Sequence, residues 1–244
     1  MADAATQQAT ASQISSLVTK LDGKTVEFQN TVNDTLSDIS WLIPDSWIQW
    51  IKDRWNDFCD WMAKVWKQLT EIVENMGAPW DLSSTANAWS DKIGGPVSGK
   101  AQVATAGELS VDDNWDGDAA TQYKQKMPLQ ATALDKVRST LSEGVNNAMS
   151  TAQLGIWAFW VALVAALVTL IAGIIGAMAS SATVLGLPPG VAIAIAAVIV
   201  FLAAIAGGIV TLRATLSNAN STIRRALSDN SGFENGHWPP FHTS

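Results

Sequence analysis

The sequence predicts an all-α protein: a helical bundle with a Trp-x-Gly helical hairpin, followed by a two-helix transmembrane hairpin. Three observations carry this expectation. Two long apolar stretches, residues 154–178 and 191–212, contain no ionisable residue. A Trp-rich segment repeats its apolar residues at helical spacing, and two further apolar stripes flank a short polar turn. The 244 residues allow one or two domains.

Charge is scarce and unevenly placed. Charged residues make up 15% of the chain, and residues 144–212 contain none at all. The formal net charge of −7 argues against a nucleic-acid partner, because neutralising phosphates requires clustered Lys and Arg. The first residues have neither a basic nor an apolar signal region, so no cleavable secretory signal is expected. Residues 1–11, small and polar, are expected to be disordered. Cys59 is the only cysteine; it sits among Trp and Phe, where packing is its expected task.

Residues 12–40 carry Ile14, Leu17, Val18, Leu21, Phe28, Val32, Leu36 and Ile39 at near-helical spacing, interrupted at Gly23, which predicts an N-terminal helix. Residues 41–77 hold the Trp-rich amphipathic helix, with Pro44-Asp45-Ser46 as its start. Trp47, Trp50, Trp55, Trp61 and Trp66 share one broad face with Ile51, Phe58, Met62, Val65 and Leu69, and Arg54 is the exception within that face. Such a face either packs in a helical bundle or lies in a bilayer interface, where indole rings are favoured. The mixed, slightly acidic opposite face favours packing.

Residues 78–150 form a second unit. One stripe runs through Leu82, Ala86, Trp89, Ile93, Val97, Ala101, Ala104 and Leu109. The other runs through Tyr123, Met127, Ala131, Leu134, Val137, Leu141, Val145 and Met149. The turn between them predicts an antiparallel helical pair. Trp115 is expected to plug its open end. Gly117 should supply a backbone geometry or close approach that a Cβ forbids, Asp118 should cap the second helix, and Pro128 should kink or restart it.

With Trp115, Gly117, Ala119, Ala120 and Tyr123 between two amphipathic helices, this unit resembles the WXG family of small helical hairpins exported by type VII secretion systems of Gram-positive bacteria. The resemblance covers about 70 residues. It implies pairing with a second hairpin in a four-helix bundle, and a role as secretion substrate, partner or effector domain. The family's export signal places an acid four residues after an aromatic. Met127 stands at that position after Tyr123, and Trp157, Trp160 and Trp238 also lack the acid.

The apolar stretches predict transmembrane helices over residues 153–179 and 190–212. As helices, residues 154–178 and 191–212 reach about 37 and 33 Å, against a hydrocarbon core of about 30 Å. Gly186, Pro188, Pro189 and Gly190 break the chain between them. Small residues four apart (Ala172 and Gly176, Gly173 and Ala177, Ala203 and Gly207, Ala204 and Gly208) permit close helix approach in lipid. Trp157 and Trp160 stand where an interfacial aromatic belt would lie. Lys136 and Arg138 precede the hairpin, and Arg213, Arg224 and Arg225 follow it, while its loop is uncharged. The positive-inside rule then makes this a multi-pass cell-membrane protein with both termini cytoplasmic. A short basic helix over residues 213–228 and a disordered tail over residues 229–244 complete the expectation.

No catalytic constellation is apparent, so an enzyme is not expected, nor a cofactor, a metal or a small-molecule substrate. His237 and His242 lie in the tail without ligand-spaced partners. Asp112, Asp113, Asp116 and Asp118 lack the spacing of a calcium loop. Asn220-Ser-Thr matches a glycosylation pattern on the side expected to be cytoplasmic. The expected function is a membrane-anchored interaction protein with type VII secretion-like character. Its partners would be the lipid bilayer and a helical protein, or itself as a homo-oligomer. The alternative is a membrane-inserting, pore-forming toxin or effector whose apolar hairpin is masked in a soluble helical bundle.

Overall fold

The computed structural model describes residues 3–39, 41, 43–104, 114–183 and 185–240, with Ile39 as backbone only. Helices α1 (Ala4–Ile39), α2 (Asp45–Glu74), α3 (Pro79–Trp89), α4 (Gly95–Val103), α5 (Asp118–Lys136), α6 (Glu143–Ser181) and α7 (Leu187–Ser228) account for most of them, and no β-strand occurs among the described residues. π-helical segments join α3 to α4 (Ser90–Gly94) and α5 to α6 (Val137–Ser142). The chain divides into two compact units.

Unit 1 comprises Met1–Gly77 and Ile156–Leu212. Its buried residues recur at heptad spacing on each helix. On α1 they are Ile14, Leu21, Phe28 and Val32; on α2, Ile51, Phe58, Met62, Val65 and Leu69. On α6, Trp160, Leu163, Leu167, Leu170, Ile174 and Ala177 alternate in steps of three and four, and α7 continues the pattern with Leu187, Val191, Ala194, Val198, Phe201 and Ile205. A 3.5-residue repeat turns one narrow seam of each helix inward, the arrangement of an antiparallel four-helix bundle. Thr35 Oγ1 donates to the Ser181 carbonyl at 3.1 Å, which places the end of α1 at the end of α6. Phe28 packs on Trp55 and Phe58 at centroid distances of 5.4 and 5.3 Å, locking α1 to α2 midway along both.

Several expectations are corrected here. Residues 4–11 are helical, because α1 extends without a break through the small polar residues, and Gly23 does not interrupt it. Cys59 lies exposed on the outer face, one residue and about 100° round from the buried Phe58. Partial burial, together with Asp60, raises its thiol pKa. Residues 213–228 are the continuous end of α7 rather than a separate helix.

The small-residue steps divide by facing. A Cβ on Gly173 would stand 2.5 Å from the Ala197 Cβ, and one on Gly208 would stand 3.2 Å from the Phe159 ring. Gly176 and Gly207 meet nothing within 4 Å. Among these steps, close α6–α7 packing depends on Gly173 and, less tightly, Gly208, while at the loop end Gly190 approaches α6 closer still, where an added Cβ would clash with Ser181 Oγ.

Unit 2 comprises Ala78–Gly155 and Arg213–Ser244. The α3–α4 arm packs against the arm formed by α5 and the start of α6. The end of α7 adds a third layer, where a Cβ on Gly144 would stand 2.7 Å from Ala226. The second stripe is offset from expectation. The buried set is Ala120, Met127, Gln130, Ala133, Ser142 and Ala148, and only Met127 belongs to the expected series. The π-helical segment rotates the face after Lys136, and the returning tail covers Gln130 before it.

Two substitutions test the packing. Gly173→Leu should separate α6 from α7 and lower thermal stability by several degrees, whereas Gly176→Leu, facing outward, should leave the transition within about 0.5 kcal/mol of the parent. Phe58→Ala should cost about 3–5 kcal/mol in denaturant unfolding monitored by far-UV circular dichroism.

Candidate functional site

Two features can carry function: the apolar hairpin with its partners in unit 1, and the Trp-x-Gly turn with its helical arms in unit 2.

In unit 1 the hairpin has two unlike sides. Its inner seam is covered by α1 and α2. Outward, α6 exposes Leu154, Val161, Val168 and Ile175, every seventh residue, of which the last three lie in unit 1. The outward side of α7 exposes Ile193, Ile199, Val200 and Val210. α1 and α2 instead expose charge: Lys20, Asp22, Glu27 and Asp34 on one, Lys52, Asp53, Asp60 and Lys67 on the other. Unit 1 is therefore amphipathic as a whole, with one charged flank and one apolar flank. α6 and α7 are long and apolar enough to cross a membrane, by length and composition.

The tryptophans singled out in the sequence separate into three groups. Trp160 is fully buried, which removes it from any interface in this fold, because its position is part of the α6 heptad seam. Trp55, Trp61, Trp66 and Trp157 are half-buried. Trp47 and Trp50 remain exposed, at 45% and 42%. Lys64 Nζ lies 3.8 Å from the Trp61 ring centroid, a cation–π contact at the outer edge of α2. Arg54, the exception in the apolar arc, escapes it by pairing with Asp57 at 2.9 Å.

In unit 2, Gly117 has φ +102° and meets nothing within 4 Å. Its role is a backbone conformation, not close approach. Gly117 is itself the N-cap of α5, and Asp118, expected there, is the first helical residue and makes no side-chain cap. Its carboxylate can still favour the helix N-terminus through the dipole. Trp115 does not plug the pair: it is 44% exposed and leans on Tyr123 at 5.8 Å between centroids. α5 passes through Pro128 without ending. Leu109, Asp112, Asp113 and His242 lie outside the described residues.

Sequence reasoning missed a polar seam between the arms. The two π-helical segments face each other, and a Cβ on Gly94 would stand 2.6 Å from Ser142 Oγ. Asn146 Nδ2 donates to Ser90 Oγ at 2.7 Å and to the Ala86 carbonyl at 3.1 Å. A Gly-Gly-Pro run opposite Ser and Asn was the available signal, but it read as a helix breaker. The tail also folds back. Residues 229–240, expected to be disordered, return to α5: Gln130 Nε2 donates to the Pro239 carbonyl at 2.6 Å, and Trp238 Nε1 donates to Gln130 Oε1. Lys136 pairs with Asp229 at 2.6 Å. Lys136 and the Ser231 amide and hydroxyl hold the Asp229 carboxyl down to about 2. His237 lies exposed beside this clasp.

Among the described residues no group of three or more His, Cys, Asp or Glu could hold a metal ion. No family model, no curated protein and no solved structure matches the chain.

Two outcomes follow for unit 2. Asn146→Leu should cost about 1–3 kcal/mol, because it removes both side-chain hydrogen bonds across a part-buried seam, read as a lowered denaturation midpoint. For Asp229, the folded-state pKa is depressed, so its contribution is present above the ordinary carboxylate range and lost as pH falls towards 2. Protection of the amides in residues 229–240, taken against the intrinsic exchange rate at each pH, should fall between about pH 4 and pH 2 in the parent. In Asp229→Asn that protection should be low throughout the range.

Proposed function

We propose that this chain is a membrane-inserting helical protein. Its apolar hairpin is carried against α1 and α2 until it meets a bilayer, and unit 2 is its interaction module. The observation that supports this is the charged outer flank of α1 and α2 along the hairpin. With both helices docked, a spanning hairpin would carry Lys20, Asp22, Lys52 and Asp53 into hydrocarbon, at a cost of roughly 2.5–3.5 kcal/mol for each such charge near the centre. The docked bundle and the spanning hairpin are thus alternative states of one sequence. α2 suits the exchange: the face that packs in the bundle is the Trp-bearing face that a headgroup region would accept.

A second reading, the permanent anchor, is favoured by the outward flank. Leu154 to Ile175 covers 22 residues, about 33 Å of helix, close to one hydrocarbon thickness. On this reading the protein is multi-pass with both termini cytoplasmic, and α1 and α2 do not lie along the hairpin. The cationic flank that orients it rests mainly on Arg213, Arg224 and Arg225, because Lys136 pairs with Asp229, and Arg138 with Asp135 and Glu143.

For unit 2, the WXG resemblance supports a helical protein partner or a second copy. The positive φ at Gly117 and the packed helical arms are compatible with such a hairpin. Trp115, exposed at the turn, is the residue such a partner would cover.

Fractionation and dye release decide between the two states. Inserting protein should purify without detergent and release carboxyfluorescein from phosphatidylcholine vesicles. A permanent anchor should stay with the membrane through an alkaline wash and never appear in the soluble fraction. In a Cys59→Ser background, bridging Thr35→Cys to Ala182→Cys, the exposed neighbour of Ser181, with a short bis-maleimide should cut dye release by roughly an order of magnitude, since a docked charged flank blocks insertion. Undiminished release from the bridged protein would refute the alternative-states proposal.

A further inference from the structure

We propose that the apex of unit 1, where Trp41, Trp47, Trp50 and Leu185 are exposed around Pro188, is the surface that first enters a bilayer interface, so that the hairpin goes in loop first. This rests on the membrane-inserting function above and adds a direction and a contact surface to it. The Thr35–Ser181 hydrogen bond puts the end of α1 and the end of α6 at the same pole of the bundle. Trp47, Trp50, Ser46 and Pro188 line one cavity of about 330 Å³ there, which brings the start of α2 to the start of α7. Trp41 follows α1 directly and is 78% exposed, and Leu185 in the hairpin loop is 80% exposed.

The occupant is argued from chemistry. Three indoles and a leucine exposed at one pole are the side chains that partition into the headgroup boundary, where the ring is apolar and its N–H stays wet. The hairpin loop over residues 179–190 has no charge. The nearest ionisable groups are Asp38 and Asp45, both exposed, and Arg54, whose guanidinium lies 5.9 Å from the Trp50 ring centroid but is paired with Asp57, with Lys52 and Asp53 a turn or two deeper on α2. This pole is therefore not built to capture anionic lipid by charge, and attraction to it should be apolar. Continuity with the outward flank of α6 and α7 gives the inserted apex a path: each further turn of the hairpin brings more uncharged surface to the bilayer. A soluble partner protein would gain no comparable progression.

The test uses the full chain in a Cys59→Ser background, with an environment-sensitive NBD label on one introduced cysteine at a time. Ser46→Cys and Leu185→Cys report the apex, Val168→Cys the middle of the hairpin, and Thr19→Cys the polar flank of α1. On mixing with phosphatidylcholine vesicles, the two apex labels should blue-shift first, Val168→Cys later, and Thr19→Cys not at all. Trp47→Glu with Trp50→Glu should weaken vesicle partitioning at least roughly tenfold, while the thermal transition in water is retained. Raising the salt from 0.05 to 0.5 M should not weaken binding, and adding phosphatidylglycerol should not strengthen it. A Val168→Cys response that matches or precedes the apex labels, or undiminished partitioning of the double variant, overturns the loop-first proposal and leaves membrane insertion standing. Silence at every position removes membrane insertion, and the apex proposal with it.

Discussion

The constraint on which the rest of the chain depends is the solvation of residues 144–212, which contain no charged side chain. Apolar surface on that scale has to be taken from water by something. In unit 1, α1 and α2 take one side of it. Their heptad-spaced Ile14, Leu21, Phe28, Phe58, Met62 and Leu69 match the seam of Trp160, Leu163, Leu167 and Leu170 on α6. The other side stays apolar and outward, and a cover on one side only has a physical consequence. The bundle therefore has one charged flank and one apolar flank.

That division explains why the Trp-rich helix could be read in two ways from its residues. Packing in a bundle and lying in an interface demand the same amphipathic face, so periodicity cannot separate them. The fold separates them along the length of the helix. Phe58, Met62, Val65 and Leu69 are committed to the core, whereas Trp47 and Trp50, at the start of α2, stay exposed beside Pro188. One helix thus serves as a cover over most of its length and leaves two tryptophans exposed at one end.

Unit 2 follows a different logic. Its arms meet through a polar seam as well as apolar contacts, with Asn146 bridging to Ser90 and the Ala86 carbonyl. Gly94 allows Ser142 to approach closer than any Cβ would tolerate. π-Helical segments in both arms accommodate this closeness by letting the helices shift register locally. The tail then seals Gln130 through Trp238 and Pro239, and ties Lys136 to Asp229.

Helix content, the apolar hairpin and the face of α2 were legible in the sequence, because each depends on local periodicity and on the absence of charge over long runs. The need for a glycine at position 117 was legible for the same reason, turn chemistry being local, but that it serves a positive φ and not a close approach came from the fold. What the sequence could not reveal depends on partners distant in the chain. That Trp160 is buried while Trp50 is exposed follows from which helix lies opposite each, not from either residue's neighbours. The fate of residues 229–240 likewise turned on Gln130, more than 90 positions earlier, whose amide supplies both a donor and an acceptor to an otherwise unstructured segment. Local sequence determined which surfaces are apolar, because hydropathy belongs to each residue. Tertiary structure decided which of those surfaces are covered, because covering requires a second surface of matching register brought in from elsewhere in the chain.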